Sequence, residues 1–276
     1  MHVMGTNLSE KNYWNGLYTG FNLSGISNRI LTFLNSVPLL QNYSYFQLWK
    51  VILKKYLPAD DSLTVLEAGS APGNNLIDFH NKWGYNPFGV EYTPLGAEIN
   101  RKLFEKNDIN TENVIFQDFL SEDFLNEYAN RFDIVSSFGL IEHFNNPEQI
   151  IQHHIDILKP GGILLIQIPN LSGINYKLSY FFNKDILDIH NLNIMHPDRF
   201  SALFNNAGVS SVFCGYYGTF NFGLYNARGF WKMLLLKCCN IFQLILNVLF
   251  RIFFARKGFE NKNTSPYLIF IGRKSV

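Results

Sequence analysis

The sequence predicts an α/β protein built on a mostly parallel sheet, and three observations carry that prediction. Residues 65–75 read VLEAGSAPGNN, an apolar, β-branched run that ends in an acidic residue and turns through glycines into a helix-type pattern. From there to about residue 170 the strand-helix rhythm repeats, with polar side chains at the strand ends. Pro and Gly punctuate the returns, above all in LKPGG at 158–162. In such a sheet ligands gather at the carboxyl ends of the strands.

Residues 43–57 carry apolar side chains at helical spacing, through Phe46, Leu48, Val51, Ile52 and Leu53, and predict a scaffold helix before the first strand. Residues 63–66 form that strand, after the turn formers Pro58, Asp60 and Asp61, and Glu67 stands at its carboxyl end. A dinucleotide loop would read G-x-G-x-x-G, but Ala71 takes the second glycine position and Asn74 the third, so a dehydrogenase reading loses ground. The second strand is NPFGVE at 86–91. Glu91 closes it about 20 residues beyond the glycine turn, where a carboxylate can accept from both hydroxyls of a ribose. Pro94 starts a helix to about residue 107, and 114–117 form a third strand that ends in Gln117-Asp118-Phe119. FDIVS at 132–136 and ILLIQIPN at 163–170 are strands four and five, with 209–217 and 266–273 as six and seven.

Glu67, Gly69 and Gly73, in the pattern E-x-G-x-x-x-G, resemble motif I of the class I S-adenosylmethionine-dependent methyltransferases. Glu142-His143 after strand four, Pro147 opening a helix, and L-K-P-G-G at 158–162 match that family in its order, so the resemblance covers about 60–170. It implies a Rossmann-like, seven-stranded, mostly parallel sheet with the last strand antiparallel, and S-adenosylmethionine as cofactor. It places Glu67, Gly69, Ser70, Ala71 and Gly73 in the cofactor loop, Glu91 and Tyr92 at the ribose, and Asp118 and Phe119 at the adenine. Phe138, just past strand four, joins them; for Asp118 a helix N-cap role competes. The chain divides as one methyltransferase domain: an N-terminal helical cover at 1–59, the cofactor core at 60–170, an acceptor side with strand six at 171–228, a helical insertion at 229–258 and the last strand at 259–276. Tyr13, Trp14, Tyr18 and Phe21 resemble the aromatic cover of related enzymes, with core packing as the alternative.

Methyl transfer from a sulfonium mainly needs the acceptor held in line at about 3–3.5 Å. A hydroxyl acceptor also needs a base, and His196 and His143 are the candidates, with Glu142 to orient or assist. In the resemblance His196 corresponds to a histidine over the transfer site, with Pro197 starting a helix that Ala207-Gly208 ends; His190 is weaker. Quinone-type relatives carry E-x-x-E-H here and can use a divalent ion, but Gly139 takes the first acidic position, and no metal is expected. His153 and His154 are expected to face solvent.

Residues 229–256, GFWKMLLLKCCNIFQLILNVLFRIFFAR, form an insertion relative to the family. Lys237, Asn240, Gln243, Asn247 and Arg251 recur at helical spacing and predict one polar stripe. Each basic residue at a bilayer centre costs about 2.5–3.5 kcal/mol against about 0.3–0.6 gained per Leu, Ile or Phe, which disfavours a span. An interfacial helix is expected, its apolar face in the acyl boundary and Lys232, Lys237, Arg251, Arg256 and Lys257 near anionic lipid phosphates. The alternative buries the same face on the domain or on a second subunit of a homodimer. A net charge of +1 with no basic run argues against nucleic acid, and three cysteines without a C-x-x-C pair or a signal-peptide core favour a reduced, cytoplasmic protein, membrane-associated on the cytoplasmic face if the insertion binds lipid. The expected function is O-methylation of a small or lipid-attached acceptor, such as a glycan sugar or a quinone precursor. N- or C-methylation, a cofactor-binding scaffold without turnover and an NAD-dependent reductase are the alternatives.

Overall fold

A computed structural model describes residues 8, 9, 13, 14, 16, 18, 37–205 and 207–276; Phe21 lies outside them. Side chains alternate along β1 (Thr64–Ala68), β4 (Phe132–Phe138) and β5 (Leu158–Pro169), so each strand feeds two cores. Leu66, Val135 and Leu164 enter one apolar cluster, and Val65, Ile134 and Leu165 enter the other. Burial on both faces is what a helix-covered parallel sheet requires, and it explains why these strands read as nearly unbroken apolar runs.

With β2 (Asn86–Val90), β3 (Val114–Ile115), β6 (Val209–Tyr217) and β7 (Tyr267–Lys274), the sheet has seven strands in the order β3-β2-β1-β4-β5-β7-β6. β1 pairs in parallel with β2 and β4, whereas β7 runs antiparallel to both β5 and β6. The chain steps outward from β1 to β3 and then returns to place β4 on the other side of β1. That reversal sets the loop after β1 beside the loop after β4, the place where open α/β sheets bind ligands.

The helix before β1, α1, consists of Tyr43–Phe46, a π-helical stretch Gln47–Ile52 and a closing turn Leu53–Tyr56. α2 (Asn74–Trp83) and α3 (Pro94–Lys106) follow β1 and β2; Thr93 caps α3, its hydroxyl accepting from Gly96 N at 3.2 Å. α4 (Glu122–Tyr128) is capped by Ser121, not by Asp118. α5 (Pro147–Ile157), α6 (Gly173–Asn183), α7 (Asp185–Asp188), α8 (Pro197–Ala202) and α9 (Phe230–Phe254) complete the helices used below.

Several expectations are corrected. The third strand stops at Ile115, and Phe116 is largely exposed. LKPGG is the start of β5 itself: Leu158 pairs with Phe132 directly after α5, and Gly161 at φ +75° turns the chain into register. α8 ends at Ala202, before Ala207-Gly208, though Gly208 at φ +71° makes the turn into β6. His154 does not face solvent; it is fully buried, with its ring 4.7 Å from that of Phe119.

The polar stripe of α9 meets the domain, and Arg251, expected near lipid phosphates, is held there instead. Gln243 and Asn247 are buried against the domain, and Arg251 donates to the Gln41 carbonyl at 3.1 Å. The apolar face therefore points outward, with Trp231 75 % and Phe253 73 % exposed. Burial of that face on the catalytic domain is overturned.

Candidate active site

Glu67, one residue before the end of β1, is almost entirely buried, and Asn75 at the start of α2 donates to its Oε1 at 2.8 Å. Its other oxygen, Oε2, is buried with no hydrogen-bond partner among the described residues. Burial pushes the carboxyl up to about 8, against the opposing effect of the Asn75 bond. A buried carboxyl with one orphaned oxygen fits a cationic ligand group, which would restore its charge.

The loop that follows is shaped by close packing. Gly73 has φ +105°, and a side chain there would also strike the Asn100 amide. Asn100, fully buried on α3, donates to Ser70 Oγ at 2.6 Å and so ties the loop to the next helix. Gly69, at φ +68°, has ordinary room for a Cβ, so its left-handed backbone is what the fold itself demands. Glu91, past the end of β2, is buried and accepts from Thr93 N at 2.8 Å and Thr93 Oγ at 2.6 Å. Gly96 permits this approach, since a Cβ there would lie 2.9 Å from the Glu91 carboxyl carbon.

A cavity of about 170 Å³ opens at these strand ends, walled by Gly69, Ala71, Glu91, Tyr92, Asp118, Phe119 and Phe138 among the residues expected from the sequence. Glu67, Ser70 and Gly73 lie behind that wall and shape it. Asp118 is exposed and accepts from Leu120 N at 2.9 Å, which holds its carboxylate at the rim. Trp14 and Tyr18 also line the cavity, so the described part of the aromatic cover serves the site.

A second cavity of about 290 Å³ meets the first at Phe138, Gly139 and His143 and extends past Glu142, His190, Ser179 and Tyr225. At this junction His143 Nδ1 donates to the Ile189 carbonyl at 2.9 Å, and His190 Nδ1 donates to the Ile186 carbonyl at 2.6 Å. A carbonyl can only accept, so both rings carry the hydrogen on Nδ1 and keep the Nε2 lone pair free. Glu142 Oε1 lies 4.0 Å from His143 Nε2, and one ligand atom from each of Glu142, His143 and His190 lies within 4.8 Å of the others. Burial lowers His143 to about 3, helped by His190, and lowers His190 to about 4. It also raises Glu142 to about 8, so the trio is neutral at neutral pH. Two imidazoles and a carboxylate whose Nδ1 hydrogens are already engaged form a donor set that can hold a borderline divalent ion.

His196 is not part of this group. It is half-exposed, 3.6 Å from Asp198, and lines a separate depression with Arg199 and Tyr216, because the turn into α8 carries it away from the two main cavities. Sequence reasoning gave His190 too little weight and passed over Asn100 and Gly96. Only the fold brings these distant positions to the site.

The sequence profile of a methyltransferase domain matches residues 42–211, and the chain belongs to that methyltransferase family. The buried Glu67 and Glu91 and the glycine loop are the residues that fit S-adenosylmethionine as the cofactor. Among curated proteins it is similar to the mitochondrial ubiquinone biosynthesis O-methyltransferase of Rattus norvegicus, 41% identical over 127 residues, which are 46% of this chain and 36% of that protein. It is also similar to the ubiquinone biosynthesis O-methyltransferase of Actinobacillus pleuropneumoniae serotype 5b, 28% identical over 110 residues, 38% of this chain and 45% of that one. The chain thus spans less than half the length of these curated relatives. The fold is shared with geranyl diphosphate C-methyltransferase from Streptomyces coelicolor A3(2), solved with Mg2+, geranyl diphosphate and S-adenosyl-L-homocysteine; the TM-score is 0.54 at 10% identity, covering 82% of this chain and 79% of that one.

Proposed function

We propose that the enzyme methylates a hydroxyl on a small or lipid-attached acceptor, and that a quinone-precursor phenol is its substrate class. The observation that carries this reading is the pair of neutral imidazoles with free Nε2 atoms, backed by Glu142, at the junction of the cofactor and acceptor cavities. N- and C-methylation can proceed without such a base. The names of the curated relatives support the same choice.

When bound, the cofactor supplies a methyl group already electrophilic on a sulfonium. Phe138 and Gly139 form the neck between the cavities, so an acceptor in the second cavity faces the first along one path. His143 Nε2 is placed to take the proton of an acceptor hydroxyl in the second cavity, whose oxygen would then bond the methyl carbon that the cofactor supplies, the C–S pair remaining on sulfur. Glu142, 4.0 Å away, balances the imidazolium that forms once its own carboxyl is ionised, toward pH 8. Trp14, with its ring 4.9 Å from His143, shields this step from water.

The convergence of Glu142, His143 and His190 favours a second reading of the same groups. Here they would hold a divalent ion, and the chemistry it would supply is Lewis-acid polarisation of the acceptor oxygen, lowering the pKa of its hydroxyl. The test is methyl transfer from labelled cofactor to a dihydroxyphenyl acceptor with a prenyl tail, before and after chelation. Labelled methyl ether formed equally in both cases supports the base; loss on chelation with recovery on Zn2+ or Mn2+ supports the ion. Label on nitrogen or carbon acceptors alone would overturn hydroxyl methylation.

A further inference from the structure

α9 is built against the usual amphipathic rule for soluble helices. Gln243, Asn247 and Arg251 of its polar stripe face the protein, whereas Lys237 and Asn240 are exposed. Gln243 accepts from Phe222 N at 2.9 Å and donates to Asn247 at 3.0 Å; Asn247 accepts from Tyr43 N at 3.1 Å and donates to the Leu40 carbonyl at 3.3 Å. These bonds fix one face of the helix to the segment that starts α1 and to the loop after β6. The opposite face presents Trp231, Leu235, Ile241, Phe242, Ile252 and Phe253 to the outside, with Ile241 68 % and Ile252 65 % exposed. The patch continues onto α6, where Tyr176, Tyr180 and Phe181 are exposed and Lys232 sits 5.2 Å over the Phe181 ring. A contiguous apolar face of this length is a docking surface.

We infer that this face lies in the plane of an anionic bilayer and admits a lipid-tailed acceptor to the second cavity; the second half of this inference rests on the hydroxyl-acceptor reading. Charge selects the partner. Between Asp198 and Glu260 the sequence holds no acidic residue, and of the charged side chains flanking the apolar face Arg228 is paired with Asp185 while Lys232, Lys237, Arg256 and Lys257 are basic. A second copy docked through the same face would bring cations against like cations, whereas lipid phosphates would complement them. The helix is long and apolar enough to cross a membrane, with mean hydropathy 1.9. Crossing would tear Gln243 and Asn247 from their buried partners at the helix middle, so lying flat is the geometry that keeps them paired.

The route inward is short. Leu236 of α9 packs with Phe182 of α6 and Tyr225 in a small buried cluster, and Tyr225 and Ser179 line the second cavity. A tail left in the bilayer and a head group in that cavity would be separated by this one layer.

The experiment is co-sedimentation of the full chain with vesicles of phosphatidylcholine alone or mixed with phosphatidylglycerol, with turnover measured on tailed and tailless dihydroxyphenyl acceptors. Wild type is expected to pellet with the mixed vesicles, and raised salt to release it only in part. Trp231→Ser with Ile241→Ser and Phe253→Ser should stay in the supernatant, melt at the wild-type temperature and keep turnover on the tailless acceptor. Lys237→Gln with Lys257→Gln should lose the preference for anionic vesicles. Wild type that remains in the supernatant with both vesicle types, or that forms a dimer which the triple variant abolishes, overturns docking while leaving the activity reading intact. Vesicle binding without O-methylation would overturn that reading and the acceptor route while leaving the docking surface in place.

Discussion

Glu67 makes the cofactor site a proton-linked one. Its carboxyl is held at about 8 by burial, so near neutral pH much of the free protein carries it protonated. A cationic ligand group beside Oε2 favours the ionised form, so binding releases a proton and tightens as pH rises toward 8. Titration calorimetry from pH 6 to 8 should show affinity for S-adenosylmethionine rising by up to about tenfold per pH unit, and Glu67→Gln should flatten that slope. A slope unchanged in the variant would remove Glu67 from contact with the ligand's charge. Gly69, Glu91 and Asp118 were legible at this scale because motif spacing along one chain segment determines them. His190 was not, since what pairs it with His143 is a ring separation of 4.4 Å across the fold. Gly96 and Asn100 were hidden for the same reason: each acts through a neighbour on another element.

At the scale of elements, periodicity located α9 but could not decide which face turns inward. Apolar content favours burying Leu and Phe, and three hydrogen-bond partners contributed by residues 40, 43 and 222 reverse that preference. Asn247→Leu is expected to destabilise the protein by about 1–3 kcal/mol, because Tyr43 N and the Leu40 carbonyl lose a buried partner. Denaturant unfolding measures it; an unchanged midpoint would mean that α9 is not anchored through this residue. Strand number and direction followed from the resemblance, and β6 was located to the residue. The third strand was overextended because Phe116 reads as a strand residue by propensity, although the sheet edge ends before it.

Buried ionisable groups give the whole molecule a definite pH response. Glu67 and Glu142 hold their protons to about 8, whereas the unfolded chain releases them near the ordinary carboxylate range. The stability they confer is present at low pH and is lost as pH rises through 8. His143, His154 and His190 are lowered to about 3–4, so their contribution is present above the usual histidine range and lost as pH falls. The two effects oppose each other in mild acid, but from about pH 6.5 to 8 only the carboxylates change. Free enzyme should therefore lose stability over that window, by up to about 1.4 kcal/mol per pH unit for each carboxyl. Melting curves at pH 6.5 and 8 check this, and Glu67→Gln with Glu142→Gln should remove most of the difference. Cofactor at about 100 times its Kd should stabilise the fold by about 2.7 kcal/mol, and no rise in melting temperature would contradict the assigned cavity.

Hydroxyl methylation driven by the histidine pair is tested most directly by single-turnover methyl transfer to the tailless dihydroxyphenyl acceptor, with cofactor saturating and no added metal. His143→Gln is expected to slow transfer by about 10²–10⁴ with cofactor affinity and melting temperature near wild type. The wild-type rate should rise with pH toward 8, as Glu142 ionises and strengthens the imidazole as a base. Transfer at the wild-type rate in the folded His143→Gln enzyme would contradict the role given to this site.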